Sequence, residues 1–212
     1  MENFQTEEQQ VEAIKSFWSS HGNSIIAGIV LGIAGYVGFN YYVDGQIAAE
    51  QQVSNKYEEI NKLIAVNEDT YVAQAKKFVE ENNGSNYAHL TTLNLAKIAA
   101  DKKEWSQAET YLKQAVASAP SSTLTANANL RLARVQIQLA QYDAALATLA
   151  LTFPESYKAQ VAETKGDALL LKGDTDAARS AYQAAVDADG LTTSSSLQMK
   201  LDDLAQTVNL EQ

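Results

Sequence analysis

The stretch NLRLARVQIQLAQYDAALATLAL, residues 129–151, reads as two helices joined by a tight turn. In its first half Leu130, Val135, Ile137 and Leu139 gather around a small Ala133. Its second half, AQYDAALATLAL from Ala140, has a counterpart on either side: KEWSQAETYLKQAV from Lys103 and KGDTDAARSAYQAAV from Lys172. Aligning the three places Trp105, Tyr142 and Thr175 in one column, then Ala108, Ala145 and Ala178, then Leu112, Leu149 and Tyr182. The first column recurs at spacings of 37 and 33 residues. Nine positions before each of its members stands Ala96, Ala133 or Gly166, a small residue where two helices of a hairpin must approach closely. Self-similarity at such a period marks an array of stacked helical units.

The array extends both ways. A step back of 33 residues from Trp105 reaches Val72, with Ala75 and Val79 in phase, so a degenerate first unit spans about residues 46–83. Asn82, Asn83 and Gly84 close it, glycine suiting the left-handed position after a helix. Pro120 stands where the second unit ends, and the hydroxyls of residues 192–196 offer caps for a final helix, SLQMKLDDLAQTV. The expected layout is repeats over about 46–83, 86–120, 123–154 and 156–190, with a capping helix over 196–209 covering the exposed apolar end. Residues 46–66 carry a second reading, in which they prolong the preceding apolar helix as one rod. At the column positions the units resemble the tetratricopeptide repeat. The fold class is all-α, an α-solenoid of helical hairpins behind one N-terminal transmembrane helix.

That helix is SIIAGIVLGIAGYVGFNYYV, residues 24–43, which carries no charge. Twenty helical residues rise about 30 Å, the thickness of a bilayer's hydrocarbon core. Phe17 and Trp18 precede it and Tyr41 and Tyr42 close it, placing amphipathic rings at headgroup level. A helix buried in a soluble core is the competing reading, but five glycines between residues 22 and 38 would weaken it. A cleaved signal peptide needs a basic leader, whereas residues 1–23 hold Glu2, Glu7, Glu8 and Glu12 against Lys15. The stretch is therefore read as an uncleaved signal anchor. Lys15 on one side against Lys56 and Lys62 on the other leaves the orientation open; export of the long C-terminal domain rests on the general behaviour of first hydrophobic segments. Gly28 and Gly32 form a small-xxx-small pair continued by Gly35, a face for packing on another transmembrane helix, of this chain or of a different one. The acidic tail before the anchor has a capping box in Thr6 and Gln9 and an apolar face of Val11, Ile14 and Phe17. It is read as a short amphipathic helix, anchoring at the surface or docking.

Composition excludes several functions. A net charge of -10 argues against nucleic acid, whose phosphates demand basic patches. There is no cysteine, and the only histidines are His21 beside the anchor and His89 in an expected helix, so neither thiolate chemistry nor a histidine and cysteine metal cluster can be built. Neither a nucleophile elbow nor a phosphate loop occurs. No catalytic, cofactor or metal site is expected. A stack of helix pairs instead leaves a curved surface for peptides or proteins. By alignment its inner groove is lined by Leu93, Lys97, Asn127, Leu130, Arg134, Ile137, Asp167, Leu170 and Leu171. The leucines serve equally well as packing between repeats. Arg134 can hold a carboxylate in two hydrogen bonds, though Glu163 or Asp167 could pair with it instead.

Taken together, the acidic tail with QVEAIKSFW, the anchor GIVLGIAGYVGFNYY, NLRLARVQIQLAQYDAALATL and KGDALLLKGDTDAARSAYQAAV resemble the YfgM-type ancillary subunit of the bacterial SecYEG translocon. The resemblance covers nearly the full length. It implies a non-enzymatic, single-pass inner-membrane protein of Gram-negative bacteria, with the N-terminus cytoplasmic and the repeats periplasmic. It further implies that the protein joins the translocon to the periplasmic chaperone PpiD, assists hand-over of unfolded translocated polypeptides, and has a tail contact with the Rcs stress-response regulator. A scaffold for another cell-envelope complex shares the same fold and is the alternative.

Overall fold

The computed structural model of the chain describes residues 7–192 and 194–210; Thr6, and with it the capping box, lies outside the described residues. Among them are nine α-helices and no strand. The chain divides into two units, the first ending at Asn55 and the second beginning at Lys56.

The first unit lies within helix α1, Glu7–Lys62. This is the one helix among the described residues long and apolar enough to cross a membrane. Along its apolar stretch Ile29, Val30, Leu31, Ile33, Val37 and Phe39 are each more than half exposed. An apolar face bare on every side needs an apolar solvent. Nothing lies within 4 Å of a Cβ built on Gly28, Gly32 or Gly35, so that face is open as well. Just ahead, Phe17 stacks on His21 with ring centroids 4.8 Å apart, and a Cβ on Gly22 would sit 3.2 Å from the Trp18 indole.

The second unit starts with the last turns of α1, so residues 46–62 are the C-terminal part of that helix. It continues through α2 (Glu68–Glu81), α3 (Asn86–Asp101), α4 (Trp105–Ala117), α5 (Ser122–Gln138), α6 (Tyr142–Leu149), α7 (Lys158–Lys172), α8 (Thr175–Asp187) and α9 (Leu197–Leu210). The helices begin where short polar side chains can take up free N–H groups. Asn67, Ser85, Ser121 and Asp174 accept from Thr70, Ala88, Leu124 and Ala177 at 2.9, 3.0, 3.3 and 3.1 Å.

One turn geometry closes three hairpins. Lys103, Ala140 and Gly173 share a column, two residues before Trp105, Tyr142 and Thr175, and all three have positive φ, at 60, 57 and 99°. After each, an N–H reaches five residues back: Glu104 to Ala99, Gln141 to Gln136 and Asp174 to Leu169, at 2.8 to 2.9 Å. These are Schellman closures, and only the third uses glycine to avoid the left-handed penalty. Lys102 and Lys172, each just before such a turn, reach Glu68 and Asp143 at 2.7 and 2.6 Å in the first turn of an earlier helix. Exposed pairs of this kind add little stability.

The column residues form the core. Ala75, Ala108, Ala145 and Ala178 are fully buried, and Leu112, Leu149 and Tyr182 nearly so. One cluster joins Leu93, Ala96 and Ala99 to Leu112, Leu132 and Val135; the next joins Leu130, Ala133 and Ile137 to Leu149 and Ala168. At the end of the stack α9 lays Leu197 and Leu204 on Ala178, Tyr182 and Ala185, covering the last apolar face. Gly166 is required rather than merely small, because a Cβ there would lie 2.4 Å from the Tyr182 ring.

Candidate functional site

The first helix of each hairpin supplies the groove residues expected from the sequence, and the structure separates them into three groups. Leu93 and Leu130 are 7% and 4% exposed and sit inside the two core clusters. Their spacing puts them on the faces that pack between hairpins, so they present no area to a partner and are corrected from groove lining to core. Lys97 stands alone on the surface, paired one turn on with Asp101 at 3.1 Å. Asn127 is half-buried, its Oδ1 enclosed without a hydrogen-bond partner.

The remaining five converge. Arg134, Ile137, Asp167, Leu170 and Leu171 line one open cavity of about 500 Å³, together with Gln138, Tyr182 and Lys200. Residues 134, 137 and 138 form one face of α5 and residues 167, 170 and 171 one face of α7, because side chains three and four apart share a helix face. Leu170 and Leu171 remain exposed, and Ile137 doubles as core.

The electrostatics of this groove depend on a residue that its first helices do not supply. Lys200 of α9 reaches Glu163 at 2.8 Å and Asp167 at 2.7 Å. The Tyr182 hydroxyl donates to the same Asp167 oxygen at 2.8 Å, Ser194 donates to Glu163 at 2.9 Å, and the Lys200 ammonium lies 5.5 Å from the Tyr182 ring centre. Burial pulls the Lys200 pKa down, but the hydrogen bonds it donates to both carboxylates, with their charges, outweigh it and the net direction is up. Burial first, then the hydrogen bond and charge of Asp167, push the Tyr182 phenol far above its usual value and keep it neutral. Glu163 and Asp167 are thus spent on Lys200, and neither pairs with Arg134. Among the described residues Arg134 has no ion pair, and its guanidinium is exposed beside Leu170 and Leu171.

Chemically the groove offers an apolar floor, one free guanidinium and a polar wall in which one ammonium is shared by two carboxylates. It can hold a short segment by burying apolar side chains while taking a carboxylate in two hydrogen bonds. Lys200 was missed because α9 is distant in sequence and only the fold brings it back; Glu163 was named as a partner for Arg134, and pairs with Lys200 instead. The available signal was Glu163 and Asp167 at i and i+4 on an inward helix, a like-charged pair that calls for a cation.

Comparison with known proteins agrees with this architecture. The family described as "Tetratricopeptide repeat-like domain" matches residues 15–206, which defines the class: a helical-repeat protein of tetratricopeptide type. Among relatives, the "Ancillary SecYEG translocon subunit" of Escherichia coli (strain K12) is 37% identical over 206 residues, 97% of this chain and 100% of that one. Its namesake in Haemophilus influenzae (strain ATCC 51907 / DSM 11121 / KW20 / Rd) is 33% identical over 93% of this chain and 97% of that one. The chain belongs to the ancillary SecYEG translocon subunit family. Of solved structures, "MamA 41-end from Desulfovibrio magneticus RS-1" is similar with a TM-score of 0.59 at 15% identity, covering 74% of this chain and 85% of that one, a likeness of fold.

Proposed function

We propose that the chain is a non-enzymatic, membrane-tethered adaptor working beside the SecYEG translocon. The observation that carries this reading is the pairing of two features: a helix whose apolar stretch has no partner in the chain, and a repeat groove with an unpaired Arg134 above an apolar floor. The names of the relatives supply the translocon.

In this reading residues 24–43 cross the inner membrane once, residues 1–23 are cytoplasmic and residues 44–212 periplasmic. The mechanism is proximity. A tether holds the groove near the translocon exit, so a weak site meets emerging polypeptides at a high effective concentration. The periplasmic chaperone PpiD is the partner to which they are handed on, and the tail is where the Rcs regulator makes contact. Gly28, Gly32 and Gly35 form the face toward a translocon helix.

Two measurements on cells test the reading. After the outer membrane is opened, added protease should digest the repeat domain; protection in cells, with cleavage after lysis, reverses the topology and removes the proposal. Replacing Gly28 and Gly32 with leucine should abolish co-purification with the translocon, and retention would count against the glycine face as the link.

A further inference from the structure

A second concavity lies away from the groove, and its origin is a short helix. Helix α6 has 8 residues, whereas α4 and α8, at the same place in their hairpins, have 13 each. It stops at Leu149, and residues 150–154 carry the chain without helix to a short turn at Glu155–Tyr157, with Pro154 just before that turn. Beside its end lies an open cleft of about 850 Å³, bounded by residues 149–155, α7 and α8.

Its walls have a definite character. Leu149, Leu151, Phe153 and Pro154 form the side left by the truncated helix. Helix α7 contributes a single stripe, Lys158, Val161, Ala162, Lys165 and Leu169. Helix α8 contributes only small residues, Ala177, Ser180, Ala181 and Ala184, again on one face. Small side chains on one face let another helix axis come close.

The rim carries a usable charge. Lys158 is paired with Glu155 at 3.1 Å, but Lys165 is exposed and has no ion pair among the described residues. In a chain of net charge -10, a free cation beside an apolar cleft favours an acidic occupant.

We propose that this cleft docks one amphipathic helix of a partner protein, apolar on the face it buries and carrying a carboxylate opposite Lys165. The partner helix completes in trans the layer that α6 leaves unfinished. The site is independent of the Arg134 groove and of the translocon reading.

The test uses the full chain in detergent micelles. The probe is a fluorescein-labelled peptide of about four helical turns, with leucine and alanine on one face and glutamates at its edge. Anisotropy should show saturable binding. Lys165→Glu and Ala184→Phe should each weaken it about tenfold or more, while Arg134→Glu leaves it unchanged. Circular dichroism of each variant must match the parent, and Lys165→Gln, a solvent-facing change, provides a second reading of the charge. The proposal is overturned by any of four results: no saturation up to millimolar peptide, equal binding of a peptide with lysines in place of the glutamates, unchanged binding by Ala184→Phe, or loss of binding in Arg134→Glu. A dimer that Ala184→Phe converts to a monomer in sedimentation would assign the cleft to a second copy and equally overturn it.

Discussion

At the residue scale, the three column positions are not interchangeable between hairpins. Two hairpins pair a small alanine with leucine, Ala96 with Leu112 and Ala133 with Leu149, whereas the last pairs Gly166 with Tyr182. The larger ring takes the room that the missing Cβ leaves, and a methyl group placed there would stand 2.4 Å from it. Gly166→Ala should therefore cost about 1–3 kcal/mol, typical of overpacking. Chemical denaturation should show most of that loss recovered in a Gly166→Ala, Tyr182→Leu double variant, and additive losses would refute the coupling. His89 gives a pH dependence. It is 1% exposed, and burial chiefly, with the charge of Arg131 adding, lowers its pKa against a smaller opposing effect of the Ala115 carbonyl. The unfolded chain then binds the proton more readily, so stability is complete above the ordinary histidine value of about 6.5 and declines as pH falls below it. Melting temperatures between pH 7.5 and 5 should show this decline, and His89→Gln should flatten it; parallel slopes would rule the residue out.

At the element scale, α9 is held by both packing and charge. Leu197 and Leu204 cover the end of the stack, and Arg179 donates to the Leu204 carbonyl at 2.6 Å. Lys200 satisfies two acids whose side chains are only 15% and 34% exposed. Removing one member of an enclosed network costs more than the network contributes, because the remaining charges stay desolvated. Lys200→Met, which keeps the stem, should destabilise the domain by about 1–3 kcal/mol, a figure reduced for its partial exposure. Adding Glu163→Gln and Asp167→Asn should restore most of it. If Lys200→Met alone leaves the urea midpoint unchanged, the network is ornamental and the leucines alone dock the helix. The same variant unmasks Asp167 in the groove, linking the capping helix to recognition.

At the scale of the whole molecule, the second unit contains every apolar core cluster described, so residues 56–212 should fold without the anchor. Expressed alone they should be soluble, helical by circular dichroism and cooperative in melting, whereas the full chain needs detergent or lipid. A fragment that stays unfolded would make α1 part of the folding unit. Much of this division was legible in the sequence. The apolar run of residues 24–43, the spacings of 37 and 33 residues and the small residues nine positions before each column are local signals, because helix periodicity and bilayer thickness act over a few turns. Arg134 and the stripe at Asp167, Leu170 and Leu171 were legible for the same reason. The rest was not, because it joins residues far apart in the chain. Lys200 meets Glu163 and Asp167 across more than thirty positions, Leu93 and Leu130 turn inward only once neighbouring hairpins press on them, and the cleft beside α6 exists because two flanking helices are longer than the one between them. Sequence by itself determined the helices, their repeat and the anchor, since those follow from short-range periodicity; only the tertiary structure decided which charges remain free and which surfaces remain open, since both depend on what each side chain finds opposite it.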